Sequence, residues 1–241
     1  MLMSDDISTY PRIFIDVALN ESTGITLNKQ ATHYLGNVLR LAMGDHIRIF
    51  NGRDGDWLCR IERLGKKDGQ VIAVRQITPQ TSRRRSISLL FAPIKKARQD
   101  FLIEKAVELG VTDLYPVLTD FTQVRQINAE RVERQIIEAV EQCERQDIPK
   151  LHPLKSLRER LSDWPAKMPL MFCVERADAP LMSSCDLSPD IGVFIGPEGG
   201  LSDEEKELGD NFTPVSLGAS ILRSETAVVS ALVYIMMQGE D

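Results

Sequence analysis

The chain has 241 residues, 43% of them hydrophobic and 27% charged, and a net charge of −6. That composition suits one large globular domain or two small ones and excludes a disordered chain; no run of about 18 apolar residues is present to span a bilayer. The acidity as a whole speaks against a nucleic-acid partner, yet residues 1–85 carry 13 Lys and Arg against 9 Asp and Glu, the remainder 16 against 26. Such asymmetry points to a basic docking module beside an acidic body. The opening "MLMSDDISTY" lacks the basic-then-apolar pattern of a secretory signal, so a cytoplasmic protein is expected. Four scattered cysteines without a C-x-x-C pair fit reduced thiols, and His33, His46 and His152 have no metal-ligand spacing, so no metal is expected.

From Pro11 to Ile77 the pattern is one of short strands and tight turns. "RIFIDV" and "HIRIF" read as strands, and "GRDG" before "DWLCRIERL" signals a hairpin. One helix interrupts them, with Asn28 as its cap and Ala31, Leu35, Val38 and Leu39 at helical spacing. This composes a small β-barrel domain over residues 1–80, and "TPQTSRRR" has the composition of a linker. From residue 86 to 241 the period changes. "SISLLFAPI" is a continuous apolar run, as expected of a strand buried on both faces. The helical "KARQDFLIEKAVELG", the strand "VTDLYPVLT" and a long helix over "NAERVERQIIEAVEQCERQD" follow. "SLRERL" and "SDEEKEL" open with capping boxes, Ser156 to Glu159 and Ser202 to Glu205. "MPLMFCVE", "DIGVFIG" and "TPVSLG" are strands, and a last helix starts near Ser224 as its cap. Strands alternating with helices predict an α/β domain with a mostly parallel sheet.

Ligands in such sheets bind beyond the carboxyl ends of the strands. Two loops stand out there, "GPEGG" (Gly196–Gly200) and "LGASILR" (Leu217–Arg223). The first lacks the G-K-[ST] ending of a phosphate-binding loop and is not G-x-G-x-x-G after a first strand. Its glycines offer backbone that a flat ligand can approach closely, although a tight turn onto the next helix accounts for part of the pattern. Arg223 before a helix start calls for a partner, and Glu198 or Glu225 is placed to supply one. Glu141 and Arg145 lie four apart on one helix, as ordinary surface pairs do.

"GPEGGLSDEE", "VSLGASILRSETA", "EQCERQDIP" and "EKAVELGVTDLYPV", with "PRIFI" and "HYLGNVLRLAMGD" in the front domain, resemble the bacterial ribosomal small-subunit uridine-N3 methyltransferases of the SPOUT superfamily, over nearly the whole chain and in the same order. The resemblance implies a PUA-like RNA-binding barrel followed by a C-terminal trefoil-knotted α/β domain, a homodimer, and S-adenosylmethionine as cofactor. Carried over by motif, the cofactor pocket comprises Val174 and Glu175, then Ile195, Gly196, Pro197, Gly199 and Gly200, then Ser216, Leu217, Gly218, Ile221, Leu222 and Arg223. One departure is Ser220, where the family usually has a basic residue before "ILR".

Methylation at uridine N3 needs positioning for an in-line transfer and loss of the N3 proton. Glu198 or Glu225 is a candidate acceptor of that proton. Arg145 or Arg223 is a candidate to stabilise charge developing on the uracil oxygens, and this is the favoured device, with the carboxylates orienting the arginine. N3 lies on the Watson–Crick edge, so the base must be exposed. Arg12, Arg40, Lys95, Lys96 and Arg98 are the expected contacts to phosphates of 16S rRNA in the small subunit, which position without reading sequence. The main alternative is a non-catalytic RNA-binding assembly factor. A nucleotide hydrolase lacks the phosphate-loop residues, and a small-molecule enzyme leaves the basic front domain without a purpose.

Overall fold

The structure, a computed structural model, describes residues 7–81, 85–174 and 179–238. It divides into two compact units, Met1–Ser82 with Glu141–Asp147, and Arg83–Val140 with Ile148–Asp241.

The first unit is a curled five-stranded sheet. Its strands are β1 (Arg12–Phe14), β2 (Gly24–Leu27), β3 (His46–Phe50), β4 (Asp56–Leu64) and β5 (Gly69–Thr78). The order is β1-β3-β4-β5-β2, with β1 and β3 parallel and the other pairs antiparallel. Three register shifts along the β4–β5 hairpin bend the sheet. Its concave side closes on Ile13, Leu35, Ile47, Ile49, Cys59, Ile61 and Val71. Burial pushes the Cys59 thiol up to about 12, so it packs as an apolar group. Helix α1 (Lys29–His33) starts where expected, with the Asn28 side chain accepting from the Ala31 N–H at 2.9 Å, and continues as a π turn over Tyr34–Val38.

Two expectations are corrected in this unit. The long helix was expected to run through Asp147; it ends at Gln142, and Glu144 adopts a left-handed φ of 59°. The end of the helix and the segment beyond it pack on β1 and β3: Glu141, in the last turn, accepts from the Phe14 N–H at 2.8 Å, and Glu144 pairs with Arg48 at 2.5 Å. Tertiary contact overrides local helix propensity there. The Arg48 guanidinium holds the Glu144 carboxyl below its usual range, so this pair contributes at neutral pH and fades as pH falls through the carboxylate range. Arg12, expected at RNA phosphate, is buried instead. It pairs with Asp56 at 3.0 Å, donates to the Arg145 carbonyl at 2.6 Å and lies 3.5 Å from the centre of the Phe50 ring.

In the second unit β6 (Ser86–Phe91), β7 (Asp113–Leu118), β8 (Lys150–Leu151), β10 (Leu170–Cys173), β11 (Asp190–Ile195) and β12 (Thr213–Val215) form one sheet in the order β12-β10-β11-β6-β7-β8, while β9 (Lys155–Ser156) pairs with β7. Every pair is parallel. Leu89, Leu90, Val193 and Phe194 are fully buried, as strands covered on both faces require. Around the sheet run α2 (Lys96–Glu108), α3 (Ala129–Gln142), α4 (Leu157–Ser162), α5 (Asp203–Gly209) and α6 (Ser224–Met237). Both expected capping boxes are present, on α4 and α5. From β6 the chain moves outward through β7 and β8, then crosses to the other side, where β11 inserts between β10 and β6. The strand order therefore reverses between β6 and β11, and an open α/β sheet binds ligands at the carboxyl side of such a reversal.

Candidate functional site

Several loops meet at the carboxyl ends of β6, β7, β10, β11 and β12. The glycine loop after β11 closes as a turn in which the Gly200 N–H donates to the Pro197 carbonyl at 3.0 Å. Gly200 has a φ of +76°, and a Cβ on Gly199 would stand 3.0 Å from that of Phe121. These two glycines are thus required by the turn and its neighbour. At Gly196 a Cβ would meet only ordinary contacts, the nearest 3.5 Å away on Leu201, so packing does not demand that glycine.

The loop is pinned from three sides. Ser202 donates to Asp120 Oδ2 at 2.5 Å, and the buried Glu205 accepts from the N–H groups of Ser202 (3.1 Å) and Asp120 (2.9 Å). The Ser224 hydroxyl donates to the Gly196 carbonyl at 3.1 Å. Ser224 is therefore the first residue of α6 rather than its cap, which is Arg223. Ser202→Ala removes a capping side chain and the tie to Asp120. It is expected to cost about 1 kcal/mol, measurable by chemical denaturation, and to raise amide exchange at Gly199 and Gly200.

The sheet edge brings Glu198 and Glu225 together, but around Arg98 rather than Arg223. Arg98 Nη2 donates to Glu198 Oε2 at 3.2 Å, Nη1 meets Glu198 Oε1, and Nη1 lies 3.7 Å from Glu225 Oε2. That Glu225 oxygen is buried and has no hydrogen-bond partner among the described residues; Arg98 neutralises it through space. Arg223 is exposed and makes no ion pair among the described residues. Arg145 lies in the first unit, where its guanidinium pairs with Asp147 at 2.6 Å. Lys95 and Lys96 are exposed at the start of α2, and Arg40 is exposed with a φ of 59°.

The remaining loops sit side by side. Val174 donates to the Val215 carbonyl, Ser216 to that of Pro180, and Met182 to that of Ser216, all near 3.0 Å. Gly218 opens onto free space, and Leu181 and Ile221 are more than half exposed. Glu175 lies outside the described residues. Among the described residues no cluster of His, Cys, Asp and Glu could hold a metal ion.

Sequence patterns left two features of this edge unread. One is Arg98 as the shared partner of the two glutamates; it reads as one more cation in a basic stretch. The other is Phe121, a half-exposed aromatic against the glycine loop, for which local sequence gives no signal.

Residues 81–236 match the RNA methyltransferase domain and residues 27–74 the RNA methyltransferase PUA domain. A protein of Rickettsia conorii named ribosomal RNA small subunit methyltransferase E is 34% identical over 95% of this chain and 96% of its own length. A protein of Synechocystis with the same name is 32% identical over 88% of this chain and 72% of its own. Among solved structures, a putative methyltransferase of Legionella pneumophila in complex with bound S-adenosylmethionine superposes with a TM-score of 0.85 at 30% identity, covering 95% of this chain and 97% of that one. The ribosomal RNA small subunit methyltransferase E of Neisseria gonorrhoeae, bound to S-adenosylmethionine, gives 0.85 at 28% identity with the same coverage.

Proposed function

Because the chain belongs to the RNA methyltransferase family, we propose that it methylates N3 of a uridine in 16S rRNA of the small ribosomal subunit. It is an S-adenosylmethionine-dependent rRNA methyltransferase of the SPOUT type with a PUA-like front domain. The observation that carries the finer reading is the cluster of Arg98, Glu198 and Glu225 on the glycine loop and its neighbouring helices.

The residues present suit the cofactor. The loops after β10, β11 and β12 offer main-chain groups beside the exposed apolar side chains of Leu181 and Ile221, and space at Gly218. A purine is held by that combination of apolar walls and a few polar groups. Val174, Ile195–Gly200 and Ser216–Arg223 would hold it, and when bound it supplies an electrophilic methyl group on a sulfonium. The cluster of two carboxylates and one guanidinium is net anionic and favours a positive centre nearby. Glu198 is placed to accept a proton, and Arg98 to stabilise a developing oxyanion. The knot, a homodimer and a cytoplasmic location belong to the same reading; sedimentation equilibrium tests the dimer.

The deciding experiment is transfer of labelled methyl from S-adenosylmethionine to small subunits that lack their own modification, with the product nucleoside identified. A 3-methyluridine product is expected. Binding without transfer would sink the enzymatic reading and leave an assembly factor. Lys95 and Lys96 are proposed phosphate contacts. Replacing both by Ala is expected to weaken subunit binding and to lower its dependence on log[salt] by about two.

A further inference from the structure

Helix α1 and the turn after it give the first unit a surface that is both apolar and basic. Asn28 caps the helix, and Leu35 on its inner side joins the core of the curled sheet. The π turn over Tyr34–Val38, in which the Leu39 N–H donates to the Tyr34 carbonyl at 3.0 Å, then interrupts the 3.6-residue period. Val38, which has the sequence spacing of the buried face, is thereby turned out. Tyr34, Val38 and Met43 are 43%, 58% and 75% exposed. Nowhere else among the described residues do three exposed large apolar side chains fall so close in sequence. No other ring touches Tyr34 among the described residues. Arg40, exposed between Val38 and Met43, has a φ of 59°, a conformation that helix ends usually give to glycine. From Ser22 to Gly44 the chain has no Asp or Glu, although it holds 35 of them in 241 residues. Lys29 and Arg40, the two cations of that stretch, are both exposed.

We propose that this corner is a second RNA contact, where the Tyr34 ring stacks on an unpaired base of the small-subunit rRNA and Arg40 holds a neighbouring phosphate. The proposal rests on the rRNA reading above and adds to it a site made of first-unit residues only. A base has an apolar face and a polar edge, so an exposed aromatic ring among apolar side chains suits the face, whatever the base. Bases inside a duplex already stack on their neighbours. The ligand is therefore single-stranded: a loop, a bulge or an end. An apolar patch alone would suit a protein partner equally well; the lack of acids around two exposed cations favours a polyanion instead. Arginine at a left-handed position carries a backbone penalty that glycine would not. Its side chain there fits a use other than folding.

The test measures the affinity of the full chain for small subunits across a salt series, in wild type, Tyr34→Ala, Tyr34→Phe and Arg40→Gly. Tyr34→Ala is expected to bind roughly 5- to 100-fold more weakly, the span that loss of one stacked base covers, with an unchanged salt slope. Tyr34→Phe keeps the ring and should bind as wild type does. Arg40→Gly should lower the dependence on log[salt] by about one. Its melting temperature should equal or exceed that of wild type, because glycine takes up that φ without penalty. Weaker binding by a protein at least as stable is not what loss of a purely structural residue produces. A benzophenone side chain introduced in place of Met43 should capture rRNA on irradiation of the complex. Capture of ribosomal protein alone would overturn the proposal, as would wild-type affinity in Tyr34→Ala or an unchanged salt slope in Arg40→Gly. Wild-type protein that does not bind the subunit removes the rRNA reading itself, before any variant is compared.

Discussion

Glu198→Gln is expected to lower turnover by about 100- to 1,000-fold at saturating subunit and cofactor, the span attributed to a positioned general base. Glutamine keeps the size of the side chain and an oxygen for Arg98 to donate to, but its amide cannot take up the N3 proton. The side chain lies on an exposed turn, so the melting temperature should hardly move and the loss belongs to the chemical step. The pH profile separates this from misplacement of the loop. Where the base is missing, the rate should climb with pH as the imide ionises in solution, and the deficit against wild type should narrow. A deficit that stays constant from neutral to alkaline pH would assign Glu198 to geometry only.

Asp56→Ala is expected to destabilise the first unit by about 3–5 kcal/mol. The Arg12–Asp56 pair is nearly sealed from water, with side-chain exposures of 2% and 9%. Removing one member of a buried pair strands the other's charge, which is where the cost arises. In the variant Arg12 would keep the Arg145 carbonyl, the Phe50 ring and its through-space attraction to Glu144, but would lose its buried carboxylate partner. The pair's net contribution is much smaller than that cost, so Arg12→Met with Asp56→Leu should recover a large part of the loss. Trp57 adjoins Asp56 on β4 and the only other tryptophan, Trp164, lies in the second unit. Denaturation followed by fluorescence in a Trp164→Phe background therefore reports the first unit. A cost below about 1 kcal/mol would mean that water reaches the pair.

Much of the architecture could be read from local pattern because its causes are local. The apolar runs of β6 and β11, the change of period after residue 86, and the boxes at Ser156 and Ser202 each follow from a few adjacent residues. The glycine loop stands out in the sequence, but two of its glycines have a structural cause, since Gly199 and Gly200 answer to Phe121 and to a turn. What stayed hidden depends on partners distant in sequence. Arg12 reads as a surface cation until β4 brings Asp56 beneath it. The helix pattern continues past Gln142, and only the contacts of Glu141 and Glu144 with β1 and β3 explain its end. Arg98 finds Glu198 and Glu225 only when α2, the glycine loop and α6 converge on one sheet edge.

The insertion of β11 between β10 and β6 carries a consequence for the order of events during synthesis. β6 waits unpaired on that side while about a hundred residues are made, because its neighbour there, paired from Ser86↔Asp190 to Phe91↔Ile195, comes late in the chain. Pairings so distant in sequence form slowly. No part of the glycine loop can be in place before then, and Glu225 follows later still. A ribosome-bound chain that ends before β11 thus holds a strand edge open to aggregation, and one that ends before α6 still lacks Glu225. Competence to act on another ribosome arrives only once the first turn of α6 has been made.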